Sequence, residues 1–188
     1  LEFTSIGERT CIYHTRQLDA VLDDMAWRVA GFLSGKQKIM IVGILRRGAP
    51  LAEMLHARLI KNFKLANIGL MHLNIKRYAD DLTLIHPETK LTEDPSATLL
   101  DFTDTTVVIV DDVMFHGHSM LRAIEYIANK QAAEIRTVVL VDRGANKLPI
   151  RIDVSGVRLD VAPTDIIECN VPPYEATFKI DLLKRTIN

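Results

Sequence analysis

A chain of 188 residues, 48% hydrophobic and 25% charged, is long enough for one ordinary domain and short for two. That composition excludes a disordered or collagen-like chain. A formal net charge of −1 removes any global basic field for nucleic acid, and no apolar run approaches the ~20 residues that span a bilayer. Cys11 and Cys169 are the only cysteines, without C-x-x-C or zinc spacing, and read as reduced thiols. The opening LEFTSIGERT lacks the basic-then-apolar layout of a secretory signal, so a cytoplasmic protein is expected.

In chain order, the first strong period is helical. Leu18, Leu22, Met25, Val29 and Phe32 recur at steps of three and four, and Gly35 follows as a C-terminal stop. Trp27 lies within this helix and is assigned to packing. Ile39 to Leu45 is a nearly unbroken apolar run, as expected of a strand covered on both faces. After RRGAP, helical spacing returns at Leu51, Met54, Leu55, Arg58 and Leu59. Asn67 to Arg77 reads as a further strand. From Ala79 to Asp104 the chain has mixed charge, two prolines and no sustained period, which suits a lid or binding loop, or a disordered insertion. Thr106 to Val110 is a compact buried strand leading to DDVMFHGHS. A helix follows with Met120, Ile124, Ile127 and Ala128 turned inward. Ile135 to Val141 is another strand ending in DRG, and the rest is Pro-punctuated with short β-like runs. Strands alternating with helices predict an α/β domain with a mostly parallel central sheet flanked by helices. Ligands of such sheets gather beyond the carboxyl ends of the strands. That rule selects Arg46 to Pro50, Lys76 to Asp81, Asp111 to Ser119 and Asp142 to Ala145.

The Asp111–Ser119 segment places two acids between a buried strand and a Gly-bearing turn that opens a helix. Amides at a helix start bind phosphate, aided by the helix dipole, and Gly117 lets the backbone approach an anion. Asp111 and Asp112 repel phosphate but suit sugar hydroxyls, or Mg²⁺ with its waters. A strand-ending Asp pair that caps a helix is an equally good reading of these residues alone. Arg46 and Arg47, followed by Gly48 for a tight turn, offer forked, permanently charged donors that suit pyrophosphate. Two exposed arginines at a strand end are the plainer alternative.

The strand with D-D-V-x-x-x-G-x-S resembles the ribose-5-phosphate signature of the type I phosphoribosyltransferases. VGILRRG resembles their pyrophosphate loop, and LVDRGANKLPIRIDVSG resembles the branch of pyrimidine-operon attenuation proteins that are also uracil phosphoribosyltransferases. The chain departs from the usual T-G-x-T turn: His116 stands in place of the first Thr and Ser119 in place of the last. KRYADDLTL is similar to the Y-R-D-D-L that opens the family's mobile loop, with Ala79 where the family has Arg.

The resemblance implies a type I phosphoribosyltransferase fold over a single domain, residues 1–188. A small hood would come from the terminal segments, and a long flexible loop would span about 79–104. It implies transfer of ribose 5-phosphate from phosphoribosyl pyrophosphate to a nucleobase, uracil by branch similarity, with Mg²⁺ held mainly by the substrate. Asp111 and Asp112 would grip the ribose. Val113, Met114, Phe115, His116, Gly117, His118 and Ser119 would hold the 5-phosphate, and Arg46, Arg47 and Gly48 the pyrophosphate. Backbone groups of Val141, Asp142 and Arg143 would frame the base, with Arg143 either touching the ligand or serving as a loop ion-pair partner. Tyr78, Asp80 and Asp81 would belong to the closing loop. A purine (hypoxanthine/guanine) phosphoribosyltransferase and a low-activity nucleotide-sensing regulator stay open as alternatives. A homo-oligomer, dimer or tetramer, is expected. RNA is disfavoured by the charge and by Val157, where the branch commonly has Lys. His14, His56, His72 and His86 show no metal spacing and receive no role.

Overall fold

The computed structural model describes residues 6–75, 91–92 and 101–185. The elements are β1 (Ile6–Tyr13), α1 (Thr15–Leu33), β2 (Ile39–Ile44), α2 (Gly48–Phe63), β3 (Ile68–Ile75) and β4 (Leu91–Thr92). They continue with β5 (Thr106–Met114), α3 (His118–Asn129), β6 (Glu134–Asp142), β7 (Val154–Arg158), β8 (Ile166–Asn170) and β9 (Lys179–Arg185). Six strands form one sheet in the order β4-β3-β2-β5-β6-β7, and β1, β9 and β8 form a second, three-stranded sheet. In the larger sheet β3, β2, β5, β6 and β7 are parallel, and only β4 runs antiparallel to its neighbour. The expected α/β class with a mostly parallel sheet is therefore present.

The sheet is covered on both faces, which explains why its strands are almost wholly apolar rather than alternating. Val108 and Val110 of β5 pack with α1 and α2, through Leu22, Met25, Leu51 and Leu55. Val107 and Ile109 pack on the other side with Met120, Ala123 and Ile127 of α3. The two-residue alternation breaks beyond Val110. Val113 packs with the same cluster as Val110, three residues on, and Met114 with the other. Asp111 and Asp112 occupy that break.

Several expectations need correction. Trp27 does not pack inward; it is 67% exposed on the outer side of α1. In α3 the buried positions are Met120, Ala123, Tyr126 and Ile127, while Ala128 is exposed and Ile124 half-buried. Within the stretch expected to be irregular, residues 101–104 carry no helix or strand, as expected, but Leu91–Thr92 forms a short strand. Leu91–Thr92 pairs with β3, and Phe102 is buried against α3 and the sheet. The α1 stop is as expected: Ser34 caps the helix and Gly35 follows at φ +78°. His14 precedes α1, where its N–H donates to Gln17 at 2.9 Å, His56 contacts the Ile68 carbonyl and His72 meets Glu53; His86 lies outside the described residues. Among the described residues no helix is long and apolar enough to cross a membrane.

Candidate functional site

Three of the four segments selected from the sequence leave the large sheet at the same end. They are Arg46–Gly48 after β2, Phe115–Gly117 after β5, and Arg143–Gly144 after β6. The fourth, with Tyr78, Asp80 and Asp81, lies outside the described residues.

Asp111 and Asp112 are 3% and 4% exposed within β5, which runs on to Met114 rather than ending at Val110. Burying carboxylates is costly unless they accept hydrogen bonds, and Asp111 Oδ1 accepts the Asp112 N–H at 2.9 Å. Val113 and Met114, expected in the phosphate turn, are thus strand residues, and Met114 is core.

Gly48 also has a different role from the one expected. It is the first residue of α2, not a tight-turn residue, and its lack of a side chain permits close approach. A Cβ there would lie 2.7 Å from the Val110 carbonyl oxygen and 3.0 Å from Asp111 Cα. Gly43 of β2 plays the reciprocal part, since its Cβ would lie 2.6 Å from Ala49 Cα. The start of α2 is therefore seated directly on β2 and β5, with Arg46 and Arg47 held near the acidic pair. The peptide joining Leu45 to Arg46 is cis.

Arg47 donates to Glu175 Oε1 from both Nε (3.0 Å) and Nη2 (2.6 Å), while the Arg46 guanidinium lies 4.7 Å over the Tyr174 ring. The hydrogen bonds that Arg47 donates to Glu175, with the negative charges of Glu175 and Asp112, outweigh burial and raise the Arg47 pKa. Neither Tyr174 nor Glu175 was singled out from the sequence. They lie in the Pro-punctuated tail, where no periodicity marks a partner for a residue so far upstream.

The turn after β5 is Phe115–Gly117, and α3 begins at His118. Gly117 has φ +95°, a conformation in which a side chain is strained, and a Cβ there would lie 2.6 Å from Asn146 Oδ1. The first intrahelical bond runs from Leu121 N–H to the Gly117 carbonyl at 2.9 Å. The amides of His118, Ser119 and Met120 therefore precede the helical ladder and point out of its N-terminal end, the geometry that receives an anion. Lys147 N–H donates to the His116 carbonyl at 3.2 Å, so the loop after β6 backs the turn. Asn146 and Lys147 are further site neighbours that the motif reading passed over.

Three side chains stack behind the turn. The Arg143 guanidinium lies 4.4 Å over the Phe115 ring, and Phe115 stacks on His116 at 3.7 Å. His118 meets His116 edge-on at 6.4 Å. Burial lowers the His116 pKa, and the positive charges of Lys147, His118 and Arg143 lower it further. Arg143 is 8% exposed, and Nη2 donates to the Ala162 carbonyl at 3.3 Å. Its Nε is buried and has no hydrogen-bond partner among the described residues. Burial pulls its pKa down, opposed by the charge of Asp165. The side chain packs behind Phe115 and makes no ion pair among the described residues.

The backbone groups expected to frame a base are partly in use already. Arg143 N–H donates to the Met114 carbonyl at 3.1 Å, and the Asp142 carbonyl accepts Leu159 N–H at 2.9 Å. The Val141 side chain is fully buried in the core, and Asp142 Oδ1 accepts Gly144 N–H at 2.8 Å. Among the described residues no three His, Cys, Asp or Glu side chains gather into a metal cage. The Asp111–Asp112 pair does fit Mg²⁺, which binds through one or two carboxylates, keeps several waters and takes further oxygens from substrate phosphates.

Residues 9–177 match the model of the phosphoribosyl transferase domain. The chain is 35% identical over 147 residues to the Bifunctional protein PyrR of Haemophilus influenzae, covering 77% of this chain and 82% of that protein. It is 32% identical over 174 residues to the Bifunctional protein PyrR of Actinobacillus pleuropneumoniae, covering 92% and 96%. Among solved structures, a hypoxanthine phosphoribosyltransferase of Trypanosoma cruzi superposes with a TM-score of 0.73 at 15% identity, over 94% of this chain and 97% of that one. A purine phosphoribosyltransferase from Pyrococcus horikoshii gives 0.60 at 23% identity, over 77% and 85%. The structural likenesses speak for the fold alone.

Proposed function

Because the chain belongs to the type I phosphoribosyltransferase family, we propose that it transfers ribose 5-phosphate from phosphoribosyl pyrophosphate to uracil and releases pyrophosphate. The observation that carries this reading is the buried Asp111–Asp112 pair, flanked by the outward-pointing amides of α3 on one side and by Arg46 and Arg47 on the other. An anion cradle, two acceptors for hydroxyls and a pair of guanidiniums together match a sugar that carries phosphate at one end and pyrophosphate at the other.

The reaction joins a base nitrogen to the anomeric carbon as the bond from that carbon to pyrophosphate breaks, and the proton of the base N–H passes to solvent or to the departing pyrophosphate. Positive charge develops on the sugar, so the protein's task is positioning and electrostatic stabilisation, with no covalent nucleophile. Asp111 and Asp112 accept hydrogen bonds from the ribose hydroxyls and oppose the developing positive charge. The amides of His118, Ser119 and Met120, with the Ser119 hydroxyl, hold the 5-phosphate. Arg46 and Arg47 neutralise the departing pyrophosphate. When bound, Mg²⁺ supplies further neutralisation of that leaving group, held by the substrate with help from Asp111 and Asp112. The choice of uracil rests on the V-D-R-G-x-x-x-L-P-I-R resemblance in residues 141–151. The same reading takes the chain as a homo-oligomer, which light scattering checks.

Thermal-shift titration with phosphoribosyl pyrophosphate, UMP, GMP and IMP tests the assignment. A ligand present at about 100 times its Kd adds about 2.7 kcal/mol to stability. Stabilisation by phosphoribosyl pyrophosphate and UMP is expected. Stabilisation by GMP or IMP without UMP would transfer the assignment to purines.

A further inference from the structure

The turn after β8 is built to hold both arginines of the candidate pyrophosphate loop. Tyr174 and Glu175 both donate their N–H to the Val171 carbonyl, at 3.1 and 3.3 Å, closing the turn on itself. Glu175 divides its carboxylate between two duties. Oε2 accepts Val171 N–H at 2.8 Å, and Oε1 takes the Nε–Nη2 edge of Arg47. Beside it, Tyr174 lies under Arg46. An anionic group from the far end of the chain thus sits where a ligand's anion would meet the Arg47 fork. Resting on the reading of Arg47 as a pyrophosphate ligand, we propose that Glu175 is a specificity-determining residue, which holds Arg47 until a pyrophosphate displaces it and so limits the advantage of pyrophosphate-bearing ligands over monophosphates.

Three properties make the contact displaceable. The two side chains are 36% and 24% exposed, so water can replace either partner. Glu175 keeps the Val171 N–H after it releases Arg47, so its carboxylate is not stranded. A pyrophosphate carries several negative charges against the single charge of Glu175, so it wins the guanidinium while the carboxylate still opposes it. Burial pushes the Glu175 carboxyl up, but the hydrogen bonds from Arg47 and Val171 and the charges of Arg47 and Arg46 outweigh that and hold it below the ordinary carboxylate range. It is therefore an anion at neutral pH.

The test is Glu175→Gln, which keeps an acceptor for Val171 N–H and removes the charge. Calorimetry with Mg²⁺–phosphoribosyl pyrophosphate and, separately, UMP should give about three- to tenfold tighter binding of the first, with UMP changed less than about twofold. In an Arg47→Ala background the same substitution should leave both affinities where Arg47→Ala alone puts them. Equal or weaker binding of phosphoribosyl pyrophosphate by Glu175→Gln overturns the proposal, because Glu175 would then orient Arg47 rather than compete for it. A gain that persists without Arg47 also overturns it, since the effect would be a general field. If UMP binds the wild type in either case, the functional reading stands while this one falls. If neither ligand binds the wild type, both fall together.

Discussion

Gly48→Ala perturbs the seat of α2 on the sheet without adding or removing a charge. The new methyl would lie about 0.7 Å inside the 3.4 Å at which ordinary contact begins, against the Val110 carbonyl oxygen. Asp111 Cα at 3.0 Å and Oδ1 at 3.1 Å close off the neighbouring space. Two of these atoms are backbone of a fully covered central strand, so relief must come from α2 lifting away. Overpacking of this kind costs about 1–3 kcal/mol, or about 2–12 °C in Tm for a domain of this size. The lift also carries Arg46 and Arg47 away from the acidic pair, so affinity for phosphoribosyl pyrophosphate should fall about tenfold, and that for UMP by less. Gly31→Ala is the matched control. It lies in α1 with nothing within 4 Å of the new Cβ, and should stabilise by about 0.5–1 kcal/mol through helix propensity. Urea unfolding of both variants, with midpoints compared at constant slope, gives the two signs. A Gly48→Ala protein as stable as wild type, with unchanged ligand affinity, would refute the close approach of α2 to β5 as the device that places the arginines.

Asp111→Asn combined with Asp112→Asn should keep the fold and weaken phosphoribosyl pyrophosphate by about two decades or more, since each charge-assisted hydrogen bond contributes roughly 1.5–3 kcal/mol. Unchanged affinity in calorimetry removes the pair from the site. Arg46→Ala with Arg47→Ala should weaken pyrophosphate-bearing ligands far more than UMP, and equal losses for both would sink the assignment. His116 has a lowered pKa, so the stability it contributes in neutral form is complete above its unfolded value of about 6.5. That contribution is lost as pH falls through the lower folded value. Phosphate favours the charged imidazole, so binding near pH 6 should take up a proton and hold up better in wild type than in His116→Thr/His118→Arg, whose turn is family-like. The ligand's own ionisation near pH ~6 acts equally on both proteins. Identical pH profiles would make the two histidines passive.

The strands and helices of the large sheet were legible because burial on both faces leaves continuous apolar runs at Ile39–Ile44 and Thr106–Val110, and because α1 and α2 carry a clear helical period. The reading stopped where polarity no longer tracks structure. Asp111 and Asp112 look like the end of a strand by composition, yet the ladder with β6 continues through them in one register to Met114. Gly48 was read as a turn residue, since sequence cannot separate a glycine needed for its dihedrals from one needed for its size. Trp27 was assigned to packing because it lies in the amphipathic α1, although Met25, Ala26 and Val29 already fill the inward face of that helix. The Arg47–Glu175 pair, 128 positions apart, was beyond any local pattern. So was the stack of Arg143 on Phe115, which only the pairing of β5 with β6 brings together.

The most direct test of the central claim is pyrophosphate release from phosphoribosyl pyrophosphate and Mg²⁺, measured with uracil, hypoxanthine or guanine as acceptor, in wild type and in Asp111→Asn/Asp112→Asn. Release that depends on uracil, yields UMP in equal amount and disappears in the double variant is the predicted result. Release with a purine but not uracil, or uracil-dependent release that survives loss of both carboxylates, would contradict the account.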